Sequence, residues 1–449
     1  MTVQPKILNR GLAVAFCGVL ALFLAAPQAN ALPSFARQTG QQCAACHNGF
    51  PELTPYGRLF KLNGYVFGGG QSNLPPLAAM IVEDYTHTQA GQSGGAKAHY
   101  GPNNNFSLNA ASLFYGGRIL GDYGLGAFAQ VTYNDPSRNF HWDNTDVRWA
   151  HAMTIYGDET VFGVSLNNNP GISDVWNTTP AWRYPFQSSS LTSPPGATLM
   201  ISTYGQQVLG ASAYVFWNRL VYAEAGAYHT LPPDVISALG MTENGSDSFS
   251  GLAPYWRLAF QPQWGPNSLE VGTFGMEANI YPGRVHGFGT DDKTDLGFDV
   301  QYQYLTDAHS VSAQASWISE HQHLNSTFTR NNSSNLNDQL HSFNLKTTYS
   351  YEQTYYATLA YSRIQGSGDP GVYSSSSRLS SPNSDWWTIE GDYMPFNHGG
   401  PSFWPWLNMK LGLQYIWYTK FNGATNNYDN NGHNAADNNT LYAFAWFAF

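Results

Sequence analysis

Charge is scarce in this chain: Asp, Glu, Lys and Arg make up 11% of its 449 residues, against roughly 25% in an ordinary soluble domain. Basic residues are the rarer sign, 20 against 30 acidic. That balance argues against nucleic acid as a partner, because phosphate binding needs a basic face. Cysteine is scarcer still, three residues in all, so no disulfide framework can hold the fold. Beyond residue 32 no apolar run approaches the ~20 residues of a transmembrane helix. No catalytic triad, phosphate loop or paired-carboxylate site stands out. Acids such as Asp291 and Asp292 read as loop solvation rather than as an iron site.

What the chain does have is aromatic residues, 15% of the total, and 44 glycines. Low charge with many aromatics and glycines suits a barrel with a lipid-facing band and a polar lumen. Residues 1–31 read as a secretory signal peptide. Lys6 and Arg10 form its basic start, Gly11 to Ala26 its apolar stretch, and Ala29-Asn30-Ala31 its cleavage site. A single membrane anchor is the alternative, but the stretch is short for that. Cleavage takes Cys17, Lys6 and Arg10 and no acid, so the net charge moves from −10 to −12. The division expected is then a signal peptide over 1–31, a monohaem cytochrome c module over 32–77 and a porin-like outer-membrane barrel over 78–449.

The haem assignment comes from Cys43-Ala44-Ala45-Cys46-His47, the pattern C-x-x-C-H. Two thiols three positions apart can add to the two vinyl groups on one porphyrin edge, and the following imidazole then lies beneath the iron. Such attachment takes place outside the cytoplasm, in keeping with export. A zinc site would need two further nitrogen or sulfur ligands, and no other cysteine survives cleavage. A thioredoxin-like pair expects a βαβ surround and has no use for the histidine. One covalent haem c on Cys43 and Cys46, with His47 as axial ligand of the iron, is therefore expected. Thr54 is placed to cap a short helix begun by Pro55, and Gly64 to close it. Arg58 and Lys61 are candidates for neutralising the propionates, and Phe50, Leu53, Phe60 and Leu62 for packing on the ring. A second axial ligand is missing nearby, since His47 is the only histidine and no methionine occurs between Leu32 and Ala79. Met80 and His87 are the nearest candidates; His99, His141, His151 and Met153 are more distant ones.

From about Ala78 onward, segments of roughly ten residues alternate apolar and polar, as transmembrane strands do. In 296–304, Leu296, Phe298, Val300, Tyr302 and Tyr304 fall on one face, and Gly297, Asp299, Gln301 and Gln303 on the other. After Thr306 to His309, Val311, Ala313, Ala315 and Trp317 oppose Ser310, Ser312, Gln314 and Ser316. The chain stops on an amphipathic stretch, Leu441 to Phe449, resembling the assembly signal of outer-membrane barrels. The fold class expected is mainly β: a transmembrane antiparallel barrel of about sixteen strands. A soluble sandwich, with its apolar face turned inward, is the alternative. Short connections near 120–122, 156–158, 217–218, 263–266, 306–309 and 351–353 should alternate with longer ones. The third long connection, Asn167 to Pro185, is rich in proline and aromatics and is expected to fold into the pore and wall the haem.

Phe35-Ala36-Arg37-Gln38-Thr39-Gly40, Cys43-x-x-Cys46-His47, and Phe50-Pro51-x-Leu53 followed by Tyr56-Gly57-Arg58-x-Phe60-Lys61-x-x-Gly64-Tyr65 together resemble the fused outer-membrane cytochrome–porins. The match covers Ser34 to Tyr65; the barrel agrees in length and architecture only. The resemblance implies the haem roles of Cys43, Cys46 and His47, and an electron path between an extracellular donor, Fe²⁺ in characterised members, and a periplasmic cytochrome or other carrier. Pro51-Glu52-Leu53-Thr54-Pro55-Tyr56 departs from the iron oxidases, which tend to carry an Asn before the Phe-Gly-Arg, so a ferrous iron oxidase is one reading among several. A solute porin with a haem-bearing plug or sensor, and a haem enzyme with an open iron position, are the others.

Overall fold

The computed structural model describes residues 34–68, 75–92, 95–241 and 247–449. The expected signal peptide lies outside the described residues. Sixteen long strands and two two-residue ladders, Ser248–Phe249 and Gln263–Trp264, make one sheet. The first eight staves are β1 Leu77–Thr88, β2 Asn105–Leu120, β3 Leu125–Asn134, β4 Asn139–Ile155, β5 Asp158–Asn167, β6 Val208–Trp217, β7 Val221–Thr230 and β8 Ala253–Phe260. The rest are β9 Asn267–Tyr281, β10 Asp291–Leu305, β11 His309–His323, β12 Asn337–Tyr351, β13 Tyr355–Gly366, β14 Ser384–Tyr393, β15 Asn408–Lys420 and β16 Thr440–Ala448. Each pairs antiparallel with its chain neighbours, and β16 returns to β1 in register from Met80 opposite Ala448 to Thr88 opposite Thr440. The sheet is thus a closed barrel with no free edge.

Which side chains face out decides between membrane and water. On β10, Leu296 and Phe298 are 38% and 49% exposed while Asp299, Gln301 and Gln303 are buried. On β11, Trp317 points outward and Ser310, Ser312, Gln314 and Ser316 inward. Apolar out and polar in is the reverse of a soluble sandwich and is the rule for barrels that meet lipid. Exposed Tyr304, Tyr349, Tyr351, Tyr355 and Tyr393 gather at one rim, Tyr355 and Tyr393 stacked with centroids 5.2 Å apart, as an interfacial girdle. This is the architecture of an outer-membrane-type barrel. No helix among the described residues is long and apolar enough to cross a membrane.

The six expected short connections all lie at that rim, where the chain also enters β1 and leaves β16. Strict alternation fails twice. Residues 135–138 join β3 and β4 tightly at the opposite end. Residues 394–407 make a long connection at the short-turn end, lying against the N-terminal segment through Ala44 N–H donating to the Asn397 carbonyl (3.2 Å) and Arg37 over the Trp406 ring (5.4 Å).

The lumen is filled from both ends. The N-terminal segment carries three short helices, α1 Ser34–Thr39, α2 Cys43–Cys46 and α3 Pro55–Leu62, and sits inside the barrel at the short-turn end. The buried Arg58 guanidinium donates to Gln301 and Gln303 on β10, both at 2.8 Å, and to Ser268 on β9 at 2.7 Å. Glu52 meets Lys346 of β12, and Tyr65 donates to Asp146 of β4 at 2.6 Å. From the other end the whole connection 168–207 folds inward, the expected stretch up to Pro185 and a further part beyond it. Their Asp174 faces Arg257 of β8 at 3.5 Å, and Thr178 donates to Asp299 of β10. Tyr184 donates to Glu390 of β14 at 3.0 Å, and Gln414 of β15 donates to the Gln187 carbonyl at 3.3 Å. Higher up, Leu199, Met200, Ile201 and Tyr204 pack on inward-facing Phe274, Met276, Ile318 and Leu340. These apolar inward positions break the alternation where a loop, not water, covers them.

Candidate functional site

The local fold of the Cys43–His47 pentapeptide follows from its neighbours. Cys43–Cys46 is a single helical turn, and His47 N–H donates to the Cys43 carbonyl at 2.9 Å. The chain then doubles back: Thr54 N–H reaches the Cys46 carbonyl at 2.9 Å and Thr54 Oγ1 donates to the Ala45 carbonyl at 2.6 Å. The same hydroxyl oxygen accepts from Gly57 N–H at 3.2 Å, so Thr54 caps α3 with Pro55 at its first position, as the sequence predicts. Gly57 is required where α3 crosses the turn, since a Cβ there would stand 2.2 Å from the Cys46 carbonyl oxygen. The far end of α3 closes with Gly64 at φ +70°, Gly64 N–H reaching Lys61 and Tyr65 N–H reaching Phe60, both at 3.1 Å. That is a Schellman closure.

Neither cysteine is in a disulfide, and with His47 they line one cavity of about 460 Å³ inside the lumen. That volume falls in the range of ligand pockets, roughly 300–1,000 Å³. The floor is the N-terminal segment, including Phe35, Phe50, Leu53 and Phe60. One wall is the barrel, with Met80 of β1, Phe114 of β2, Phe128 of β3 and Trp446 of β16. The roof is the long connection, from Asn177 through Trp182 and Arg183 to Gln187. Gln41, solvent-exposed, stands on the rim at the short-turn end.

A covalently tethered porphyrin fits this arrangement on three counts. The cavity is broad and mostly apolar, and both thiols border it together. His47 Nδ1 lies 3.2 Å from the Pro51 carbonyl, which sets the tautomer with Nε2 open, the usual arrangement for a ligating histidine. Burial pushes the His47 imidazole down to about 4, so it stays neutral, as a metal ligand must. Burial, reinforced by the charge of Cys43, pushes the Cys46 thiol up to about 12. The thiol is therefore protonated in the protein as it stands. Among the described residues no group of three His, Cys, Asp or Glu gathers to hold a bare ion.

The structure sorts the remaining candidates. Met80 is buried, inward-facing and on the cavity wall. His87 is not: seven positions along the same strand puts it on the opposite face, and its ring meets Asn104 Oδ1 at 2.8 Å. His87 therefore does not face the cavity that Met80 lines. His99, His141, His151 and Met153 do not border the cavity either, and Met153 is 44% exposed. Phe50, Leu53 and Phe60 face the cavity, whereas Leu62 is buried against Val175, Trp176 and Tyr214. Arg58 does not reach the cavity because the barrel wall takes its guanidinium. Lys61 lines the cavity and donates to the Ile172 and Asp174 carbonyls at 2.6 and 2.9 Å. Sequence reasoning missed Arg183; only its place in the proline- and aromatic-rich connection could have drawn attention to it.

No family model and no curated protein matches the chain. Solved structures share its outline at low identity. The outer membrane channel DcaP of Acinetobacter baumannii aligns at 13% identity over 85% of this chain and 100% of its own, with a TM-score of 0.45. OmpT of Vibrio cholerae, in its trimer form, aligns at 10% over 83% and 98%, with a TM-score of 0.44. The anion-selective porin from Comamonas acidovorans aligns at 10% over 83% and 98%, with a TM-score of 0.41. At these values the likeness is one of outline and assigns no activity.

Proposed function

We propose that this chain is an outer-membrane c-type cytochrome of a Gram-negative bacterium, carrying one haem c in the lumen of its barrel. One observation carries the reading: Cys43, Cys46 and His47 border a single apolar cavity that the barrel, the N-terminal segment and residues 177–187 close together. Cys43 and Cys46 would hold the group covalently, and His47 and Met80, which both border the cavity, would be the residues that ligate its iron. When bound, such a group takes up and releases one electron at its iron. The residues around it do the rest. Phe50, Phe114, Phe128, Trp182 and Trp446 keep water away, Pro51 orients His47, and Gln41 marks the side from which a periplasmic carrier can approach.

On the far side, the donor is an extracellular reductant, with Fe²⁺ as the candidate on the resemblance of Ser34–Tyr65 to the cytochrome–porins. The decisive experiment exports the chain in a host with haem-attachment machinery and asks whether haem stays on the polypeptide after denaturation. The double variant C43A/C46A should abolish it, and a colourless wild-type protein overturns the proposal. Adding Fe²⁺ to the oxidised protein should then produce the reduced haem bands; inertness would leave the cytochrome but remove iron as donor.

A second reading, a solute porin whose N-terminal segment is a plug, is favoured by the sixteen-strand barrel, a size that leaves an aqueous channel in porins. Here both lumen ends are filled by packed chain, and liposome flux of small solutes separates the two.

A further inference from the structure

Among the described residues, Arg183 is the one cation lining the cavity whose side chain has no counterpart. Its Nη1 is shut off from solvent without a hydrogen-bond partner, and no ion pair reaches the guanidinium among the described residues. Burial alone pushes it down to about 10, with no carboxylate opposing the shift. The nearest acid of the same connection is already engaged: Asp174 accepts from the N–H groups of Trp176, Thr178 and Thr179 at 2.9–3.0 Å and faces Arg257. Lys61, the other cation at the cavity, donates to two carbonyls and lies 4.9 Å over the Trp182 ring. A guanidinium always carries its charge; Arg183 as a whole is half-buried, but its shut-off Nη1 is a cationic donor removed from water with no acceptor. Its planar fork matches a carboxylate. The group it lacks is therefore an anion brought by whatever occupies the cavity.

We propose that Arg183 is the anion anchor of this cavity and receives a carboxylate of its occupant, a haem propionate. The inference rests on the haem reading above and replaces Arg58, which the barrel wall has claimed. It also gives the long connection a second task, since residues 177–187 would be pinned to the cofactor through this one side chain.

The test uses the exported holoprotein with Arg183→Leu and Arg183→Lys. Haem content per chain should match wild type in both, because the thioether bonds are untouched. Loss of a cation beside the haem disfavours the reduced form, so R183L should have a more negative midpoint potential, by about 59 mV for a tenfold change in the one-electron equilibrium. R183K should recover most of that shift. The propionate bending band in resonance Raman spectra should move in R183L and stay near wild type in R183K. Should R183L not assemble, Arg183→Gln takes its place, losing the charge but keeping much of the length. A charge-neutral variant with wild-type potential and wild-type Raman band overturns the proposal. A wild-type chain without haem overturns the reading beneath it instead.

Discussion

Replacing Glu52 by Gln should loosen the N-terminal segment from the barrel at a cost large enough to measure. Glu52 is 1% exposed, Lys346 is 4% exposed, and each is the other's ion-pair partner. Glu52 also accepts from Gln303 Nε2 at 2.9 Å and from Asn48 Nδ2 at 3.3 Å. The amide keeps the length but turns a donor toward the Lys346 ammonium, which is left between the Tyr184 and Phe186 rings, 5.9 and 4.9 Å from their centroids, with no counter-charge. Removing one partner of a buried pair costs about 3–5 kcal/mol, whereas replacing both by neutral groups is often close to neutral. A double-mutant cycle with Lys346→Met then isolates the pair. The assay is denaturant unfolding of the detergent-folded protein, together with proteolysis of residues 34–67, which report on the segment apart from the barrel. E52Q should expose those residues to protease while the barrel keeps its heat-modifiable mobility, and E52Q/K346M should restore protection. A cost under about 1 kcal/mol, or a double variant as labile as E52Q, would refute the buried-pair argument.

Three further outcomes follow from the geometry. Met80→Ala should abolish the red absorption band of methionine-ligated ferric haem while His87→Ala leaves it unchanged; the opposite pattern would reassign the ligand. Gly64→Ala should destabilise seating of the segment by at least ~1 kcal/mol, because φ is +70° and a Cβ would stand 2.7 Å from the Gly124 carbonyl oxygen; unchanged proteolysis of residues 34–67 would speak against it. Asp174→Asn should free the long connection from Arg257 and raise small-solute flux in liposomes, and an impermeable variant would show that the other lumen contacts suffice.

Much of the barrel was legible because strand alternation is a local property: period two is visible in Leu296 to Tyr304 without knowing the partner strands. The Thr54–Pro55 start and Gly64 stop of α3 were legible for the same reason, each depending on a few adjacent residues. The lumen-entering connection showed in its proline and aromatic content. What escaped was everything set by contacts between distant segments. Arg58 looked like a propionate partner because it follows the cysteine pair in sequence, yet Gln301 and Gln303, far along the chain, claim it. The inward-facing Phe274, Met276 and Ile318 break the alternation only because Met200 and Ile201 come down to cover them.

The linear order of residues determined a membrane-type cylinder and one thiol–thiol–imidazole set, since pleat parity and three-residue spacing need only neighbouring atoms. Only closure of the cylinder decided where that set lies, which of Met80 and His87 can face it, and that Arg183 reaches it unpaired. Those are matters of which side of a wall a side chain stands on and what a lumen leaves room for, and neither is encoded until strands far apart in sequence are joined.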